Sequence, residues 1–376
     1  MVDLLGTPLF LLTIALAVAA PVGALLLWGR VRGAGGVQVA QRLGLVVLCQ
    51  LTAVLLASVA LNREYVFYES WSDLFGQDDN STAAVQGTST PRHAGTGVTG
   101  AAVNGDRALP PIPGLQQISG QPRVVREEVR GPASHVQAEV TYLTPPGYGD
   151  PANAGKRYPV VMFLPGYPGT PSTWINKLGL QDVMDAEIAA GRVQPFIAVL
   201  PKMNVDGTRD LECSDVTGGP AAGTWLGVDV PRIVQSQVRA MPPGGDWAVA
   251  GYSTGGFCSG KLALQYPQTF GSAAVLSGYF SPDTATSADD LFGGDAARLQ
   301  ANDPMWIVRH GIPPAVRVLV VYSAQDPGTA QPSTAFIAAA RPPLHVDQIR
   351  LPQGGHNTGV WQGVLPQVLR WVGAKV

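Results

Sequence analysis

The spacing of apolar residues changes along this chain, and each regime predicts a different kind of element. Residues 4–28 and 43–61 are apolar on every face, about 25 and about 19 positions without a charged side chain. Helices of that length and character match a hydrocarbon core of about 30 Å, so two bilayer spans are expected. Over residues 76–117 the period vanishes, and Gly, Ser, Thr, Ala and Pro dominate, the composition of a flexible linker. Asn80-Ser81-Thr82 inside it matches a glycosylation sequon, read here as linker sequence. Beyond residue 118 short strand-like runs alternate with helical stripes. Residues 124–129 and 138–143 predict a hairpin, 158–164, 196–200, 246–250, 272–276 and 316–322 read as central strands of a parallel sheet, and 346–351 reads as a further strand. Residues 180–190, 225–241, 256–265 and the stretch from Asn357 onward read as helices. In 225–241 the stripe is Leu226, Val230, Ile233, Val234 and Val238, with Pro231 fitting a first turn. Residues 281–310 lack a strong period and are expected to roof a pocket. The pattern as a whole predicts an anchor over 1–75, a linker over 76–117, and an α/β domain over 118–376 with a mostly parallel central sheet flanked by helices.

One strand-to-helix junction carries chemistry. Gly251-Tyr252-Ser253-Thr254-Gly255 has the G-x-S-x-G form of a nucleophile elbow, between the 246–250 strand and the 256–265 helix. A serine on such a turn projects from the sheet, and the flanking glycines let the turn close. In that fold the partners follow in the order serine, acid, histidine. Asp326 follows the 316–322 strand, and His356 lies on the Gly-rich loop after the 346–351 strand, so Ser253, Asp326 and His356 form the expected triad. Asp283, Asp289 and Asp290 are alternative acids, while Asp347 falls inside a strand. His93 lies in the linker, His135 and His310 precede the segments expected to hold the base, and His345 opens a strand. The oxyanion donors expected are the amides of Thr254 and of Tyr167, in the Pro165-Gly166-Tyr167-Pro168-Gly169 loop. The competing reading of that loop is a plain strand-to-helix turn.

Charge and cysteines narrow the setting. Charged residues make up 14% and the net charge is −2, which leaves no electrostatic footprint for nucleic acid. Five lysines against twenty arginines, with abundant Ala, Gly, Val and Pro, suggest a GC-rich, actinobacterial-type genome. Arg30, Arg32 and Arg42 put the loop between the spans on the cytoplasmic side and the domain outside. Tyr65, Phe67, Tyr68 and Trp71 read as an outer aromatic belt. No basic residue precedes the first apolar run, which favours retained spans over a cleaved signal peptide. Cys49 lies in the second span. Cys213 and Cys258 both follow central strands and are expected to pair in an exported domain. Asp210, Glu212 and Asp215 follow the 196–200 strand and are expected to rim the site, favouring cationic or polyhydroxyl head groups. No metal-ligand motif occurs, and no cofactor is implied.

With these residues placed, residues 120–376 resemble the esterase D or putative esterase family of α/β-hydrolases, which includes the antigen 85 mycolyltransferases. The resemblance is carried by Phe163-Leu-Pro-Gly-Tyr-Pro-Gly169, by Gly251-Tyr-Ser-Thr-Gly-Gly256, and by Gly354-Gly-His356 followed by Trp361. It implies Ser253 as nucleophile, His356 as base, and Tyr167 and Thr254 as oxyanion donors. The chain departs from many esterases in having Leu-Pro-Gly in place of His-Gly, and from mycolyltransferases in offering Asp as the acid. The expected function is that of a membrane-anchored, extracytoplasmic serine esterase acting through an acyl-enzyme on a lipid, glycolipid or cell-envelope ester. The alternatives are a mycolyl-type acyltransferase serving a sugar or glycerol hydroxyl, and an inactive membrane-bound binding module.

Overall fold

The computed structural model describes residues 6–31, 33, 35–65, 116–118, 121–206, 209–283 and 291–373. The chain divides into two compact units, one of residues 1–82 with Gln353–Asn357, the other of residues 83–352 with 358–376.

The first unit contains two helices, α1 (Thr7–Trp28) and α2 (Gly35–Tyr65). Both are long and apolar enough to cross a membrane. They run antiparallel, since Arg42 lies 5.1 Å from the Trp28 ring at one end and Arg63 lies 4.7 Å from the Phe10 ring at the other. Arg32, Phe67, Tyr68, Trp71, His93, the sequon and most of the 76–117 linker lie outside the described residues; Gln116 and Gln117 already belong to a strand.

The second unit is a nine-stranded sheet in the order β1-β2-β3-β5-β4-β6-β7-β8-β9. Its strands are β1 (Gln116–Ile118), β2 (Gln121–Arg130), β3 (Gln137–Leu143), β4 (Val160–Leu164), β5 (Ile197–Pro201), β6 (Gly244–Tyr252), β7 (Phe270–Leu276), β8 (Arg317–Ser323) and β9 (His345–Leu351). β1, β2, β3 and β5 pair antiparallel, and from β5 through β4 to β9 every pairing is parallel. The α/β-hydrolase-type architecture expected from the sequence is the one observed. β4 and β5 are buried at every position, which is why they read as unbroken apolar runs. Helices cover both faces and divide the core in two. Trp225, Phe257, Phe270 and Phe280 pack on one side, and Trp174, Phe196, Trp361 and Leu365 on the other.

Two stretches depart from the sequence reading. The helix expected over 225–241 is a π-helical turn (Trp225–Asp229) followed by an α-helix (Val230–Gln237), and it ends where Val238 turns extended. Pro231 follows the π-helical turn directly, at the start of the α-helical part but inside the continuous helical run that begins at Ala222, and not in the first turn of the whole helix as expected. Within 281–310, where the sequence shows no period, the described residues include the short helices Ala296–Ala301 and Pro304–His310. Each starts at an aspartate whose side chain accepts backbone N–H groups, Asp295 and Asp303.

Candidate active site

β4 lies between β5 and β6, so the chain leaves the middle of the sheet in opposite directions from this strand. Such a reversal opens a crevice beyond the carboxyl ends of the strands. Leu164, the last residue of β4, pairs with Gly251 of β6, so the 165–169 loop and the elbow leave the sheet side by side. Ser253 stands between β6 and the elbow helix (Thr254–Gln265) with φ 57° and ψ −127°. A side chain in that region of backbone space costs about 1–3 kcal/mol and persists only where its surroundings impose it. Here the Ser253 N–H donates to the Leu276 carbonyl at 2.9 Å, and the Ser253 carbonyl accepts the Phe257 N–H at 3.1 Å. Close approach does the rest. A Cβ at Gly255 would lie 2.2 Å from the Leu164 carbonyl oxygen, and one at Gly166 would lie 2.8 Å from Ser253 Cβ. The 165–169 loop therefore passes directly against the serine, and the Tyr167 and Thr254 amides follow the paired Leu164 and Gly251 at equal distances along their chains.

Asp326 follows β8 and is buried at 5% exposure; its Oδ2 accepts the Thr329 hydroxyl at 2.6 Å. The rival acids are placed otherwise. Asp347 is held by Arg317 at 3.1 Å, His345 at 3.1 Å and the Trp371 indole at 2.8 Å. Asp283 is exposed, and Asp289 and Asp290 lie outside the described residues. Among the histidines, His310 stacks on Trp306 with ring centres 3.6 Å apart, His345 pairs with Asp347, and His135 sits in the β2–β3 turn with φ 59°. His356 follows β9 in the Gln353–Asn357 segment, which belongs with the first compact unit.

The acidic loop after β5 differs from its expected role. Glu212 is not a rim residue, since it is buried at 1% exposure with Oε1 accepting the Tyr279 hydroxyl at 2.8 Å and the Asp283 N–H at 3.0 Å. Asp215 is occupied too, accepting the Thr224 N–H at 2.8 Å and the Thr224 hydroxyl at 2.7 Å. The half-buried Asp210 accepts the Thr254 hydroxyl at 2.7 Å, which places it beside the elbow. Burial pushes both the Asp210 and Glu212 carboxyls above the usual range. Cys213 and Cys258 are joined, with Cα atoms 5.8 Å apart, and tie this loop to the elbow helix.

The sequence reading passed over Lys261. It is fully buried on the elbow helix and donates to the Glu212 carbonyl at 2.7 Å, Ser214 Oγ at 2.8 Å and Asn302 Oδ1 at 3.0 Å. Burial brings its pKa down to about 7. Its position three residues after Cys258, on the same helix face, was the available signal. Trp361 was quoted in the resemblance without a role; its indole donates to Ser277 Oγ at 3.0 Å and its ring stacks on Tyr252 at 4.3 Å. Among the described residues no group of three or more His, Cys, Asp or Glu side chains is arranged to hold a metal ion.

Comparison with known proteins supports the fold and an esterase family. Residues 135–371 match a family model described as putative esterase. An uncharacterised protein of Corynebacterium glutamicum is 25% identical over 249 residues, covering 61% of this chain and 56% of its own. The iron(III) enterobactin esterase of Dickeya dadantii is 27% identical over 213 residues, covering 53% of this chain and 45% of its own. The chain thus spans about half the length of these relatives. Among solved structures, a ferulic acid esterase superposes with a TM-score of 0.57 at 21% identity, covering 67% of this chain and 98% of its own. An S-formylglutathione hydrolase from Agrobacterium tumefaciens gives 0.58 at 15% identity, over 69% and 98%. At these identities the two structures speak for the fold.

Proposed function

This chain belongs to the putative esterase family, whose chemistry is carboxylic ester hydrolysis of the serine type, and from that premise we propose a membrane-anchored serine esterase acting outside the cytoplasmic membrane. The observation that carries the reading is the strained Ser253 elbow, packed against the 165–169 loop at the point where the sheet reverses direction.

In this reading Ser253 Oγ attacks the ester carbonyl carbon while His356 takes the hydroxyl proton. Asp326 orients the imidazole and stabilises its charged form. The carbonyl oxygen becomes an oxyanion that accepts the Tyr167 and Thr254 N–H groups. Collapse breaks the ester C–O bond, the proton on His356 passes to the departing alkoxide, and the acyl group stays on Ser253. Water then attacks the acyl-enzyme, gives a proton to His356, and leaves as part of the free acid when Ser253 recovers that proton. The two apolar helices supply the anchor. A domain held by such an anchor meets lipid and envelope esters at high effective concentration, which favours that substrate class. The Cys213–Cys258 bond supports an oxidising, extracytoplasmic setting.

Ser253→Ala is expected to cut ester hydrolysis by about 10⁴-fold or more and to abolish fluorophosphonate labelling, with the unfolding midpoint held or raised. A variant that still turns over esters at the wild-type rate removes Ser253 from the mechanism.

A further inference from the structure

Thr254 has two attachments to the site. Its amide is the oxyanion donor of the reading above, on which this inference rests, and its buried hydroxyl donates to Asp210 Oδ2 at 2.7 Å. That amide nitrogen belongs to the peptide linking Ser253 to Thr254, the unit that would rotate if the strained turn at Ser253 relaxed. An anchor on the Thr254 side chain opposes the rotation. We propose that Asp210 is a positioning residue for the reaction: it holds the Thr254 side chain, and through it aims the Thr254 N–H at the oxyanion.

The surroundings of Asp210 are built to keep it in place. Asp210 Oδ1 accepts the Glu212 N–H at 2.9 Å, which fixes the carboxylate plane. Two and three residues further on, Glu212 and Cys213 both have left-handed backbone, φ 46° and 48°. Neither is glycine, so each conformation is strained and persists only where neighbours enforce it. Several neighbours do. Lys261 grips the loop through the Glu212 carbonyl and Ser214 Oγ. Tyr279 and the Asp283 amide hold the Glu212 carboxylate. The disulfide fixes Cys213 to the same helix that begins at Thr254. The Tyr279 hydroxyl also interacts with Thr254, and its ring stacks on Phe257 at 4.7 Å. These restraints hold in place the two groups that reach the Thr254 side chain, Asp210 and Tyr279, and of the two only Asp210 brings a carboxylate to it. A connecting loop does not require a buried lysine, a buried glutamate and a cross-link at its turn; a rigid mount for one carboxylate does.

The test compares Asp210→Asn, Thr254→Val, Thr254→Ser and the Asp210→Asn/Thr254→Val double variant in the full chain, with kcat expressed per fluorophosphonate-titrated serine. Because removing an oxyanion donor outright costs about 10²–10³ in kcat, misaiming one is expected to cost about 10- to 100-fold. Asp210→Asn and Thr254→Val should each lower kcat and the rate constant of fluorophosphonate labelling by that factor, with KM within about 2-fold. Thr254→Ser should keep most of the rate, and the double variant should be no worse than the poorer single. Counting titrated serines separates misfolded protein from slow protein. Wild-type kcat in Thr254→Val, losses confined to KM, or losses that multiply in the double variant would overturn the proposal. Ser253→Ala, run alongside, separates the two levels. Full activity there removes the nucleophile reading and this inference with it, whereas an inactive Ser253→Ala beside a normal Thr254→Val removes this inference alone.

Discussion

Members of a serine triad act as a unit, so losing the base costs about as much as losing the nucleophile, while the acid only orients and stabilises. His356→Ala is therefore expected to match Ser253→Ala in kcat, and Asp326→Asn to retain measurably more; single-turnover acylation rates check the order. Away from the site, Glu187 makes a different kind of prediction. It lies between Arg192 and Arg370, each with one nitrogen 2.7 Å from Oε2 and another 3.0 Å from Oε1. Hydrogen bonds from Arg370 and then Arg192 bring its carboxyl down to about 2 from an ordinary 4.5. A folded-state pKa below the unfolded one means the stabilisation is complete above pH 4.5 and disappears as pH falls toward 2. The stability gap between wild type and Glu187→Gln should thus be constant near neutrality and close across that acid window in denaturant titrations. Residue by residue, the sequence made Ser253 legible because an elbow is local chemistry. It misread Glu212 as a rim residue and passed over Lys261, because a charged side chain is normally exposed and only packing between distant segments buried these two.

At the scale of elements, the junction of β6 with the elbow helix depends on glycine for closeness to the β4 carbonyls. Gly255→Ala would press a methyl into the Leu164 carbonyl oxygen, 2.2 Å away, in a region with no void. A destabilisation of about 2 kcal/mol or more is expected, with activity falling in the fraction that still folds, as read by urea unfolding and active-site titration. Strands were the most legible elements, since buried parallel strands announce themselves by unbroken β-branched runs such as 316–322. The helix expected over 225–241 was less so. Its apolar stripe runs on through the π-helical turn, and periodicity does not distinguish an extra residue in one turn from a regular helix. The short helices of 296–310 start at their aspartate caps and pack separately, Leu299 against the cluster of Leu211 and Val216 and Val308 into the main core. A six- or seven-residue helix has too few apolar positions to show a period.

For the whole molecule, the proposed arrangement puts the elbow on the outer side of the membrane, with Arg30 and Arg42 on the inner side. A membrane-impermeant fluorophosphonate should then label Ser253 in intact cells as fully as in lysates; labelling only after lysis would reverse the orientation. The cross-link between Cys213 and Cys258 spans 45 residues of chain and fastens the mount of Asp210 to the helix that begins at Thr254. While a newly made chain is still among cytosolic reductants, both positions are thiols and that fastening is missing. In the proposed topology, synthesis of the chain and full alignment of its oxyanion donor would thereby be separated in space. Purified enzyme treated with a thiol reductant should accordingly fall to the kcat of Thr254→Val and recover it on air oxidation, with the maturation step consisting of one bond between two sulfur atoms.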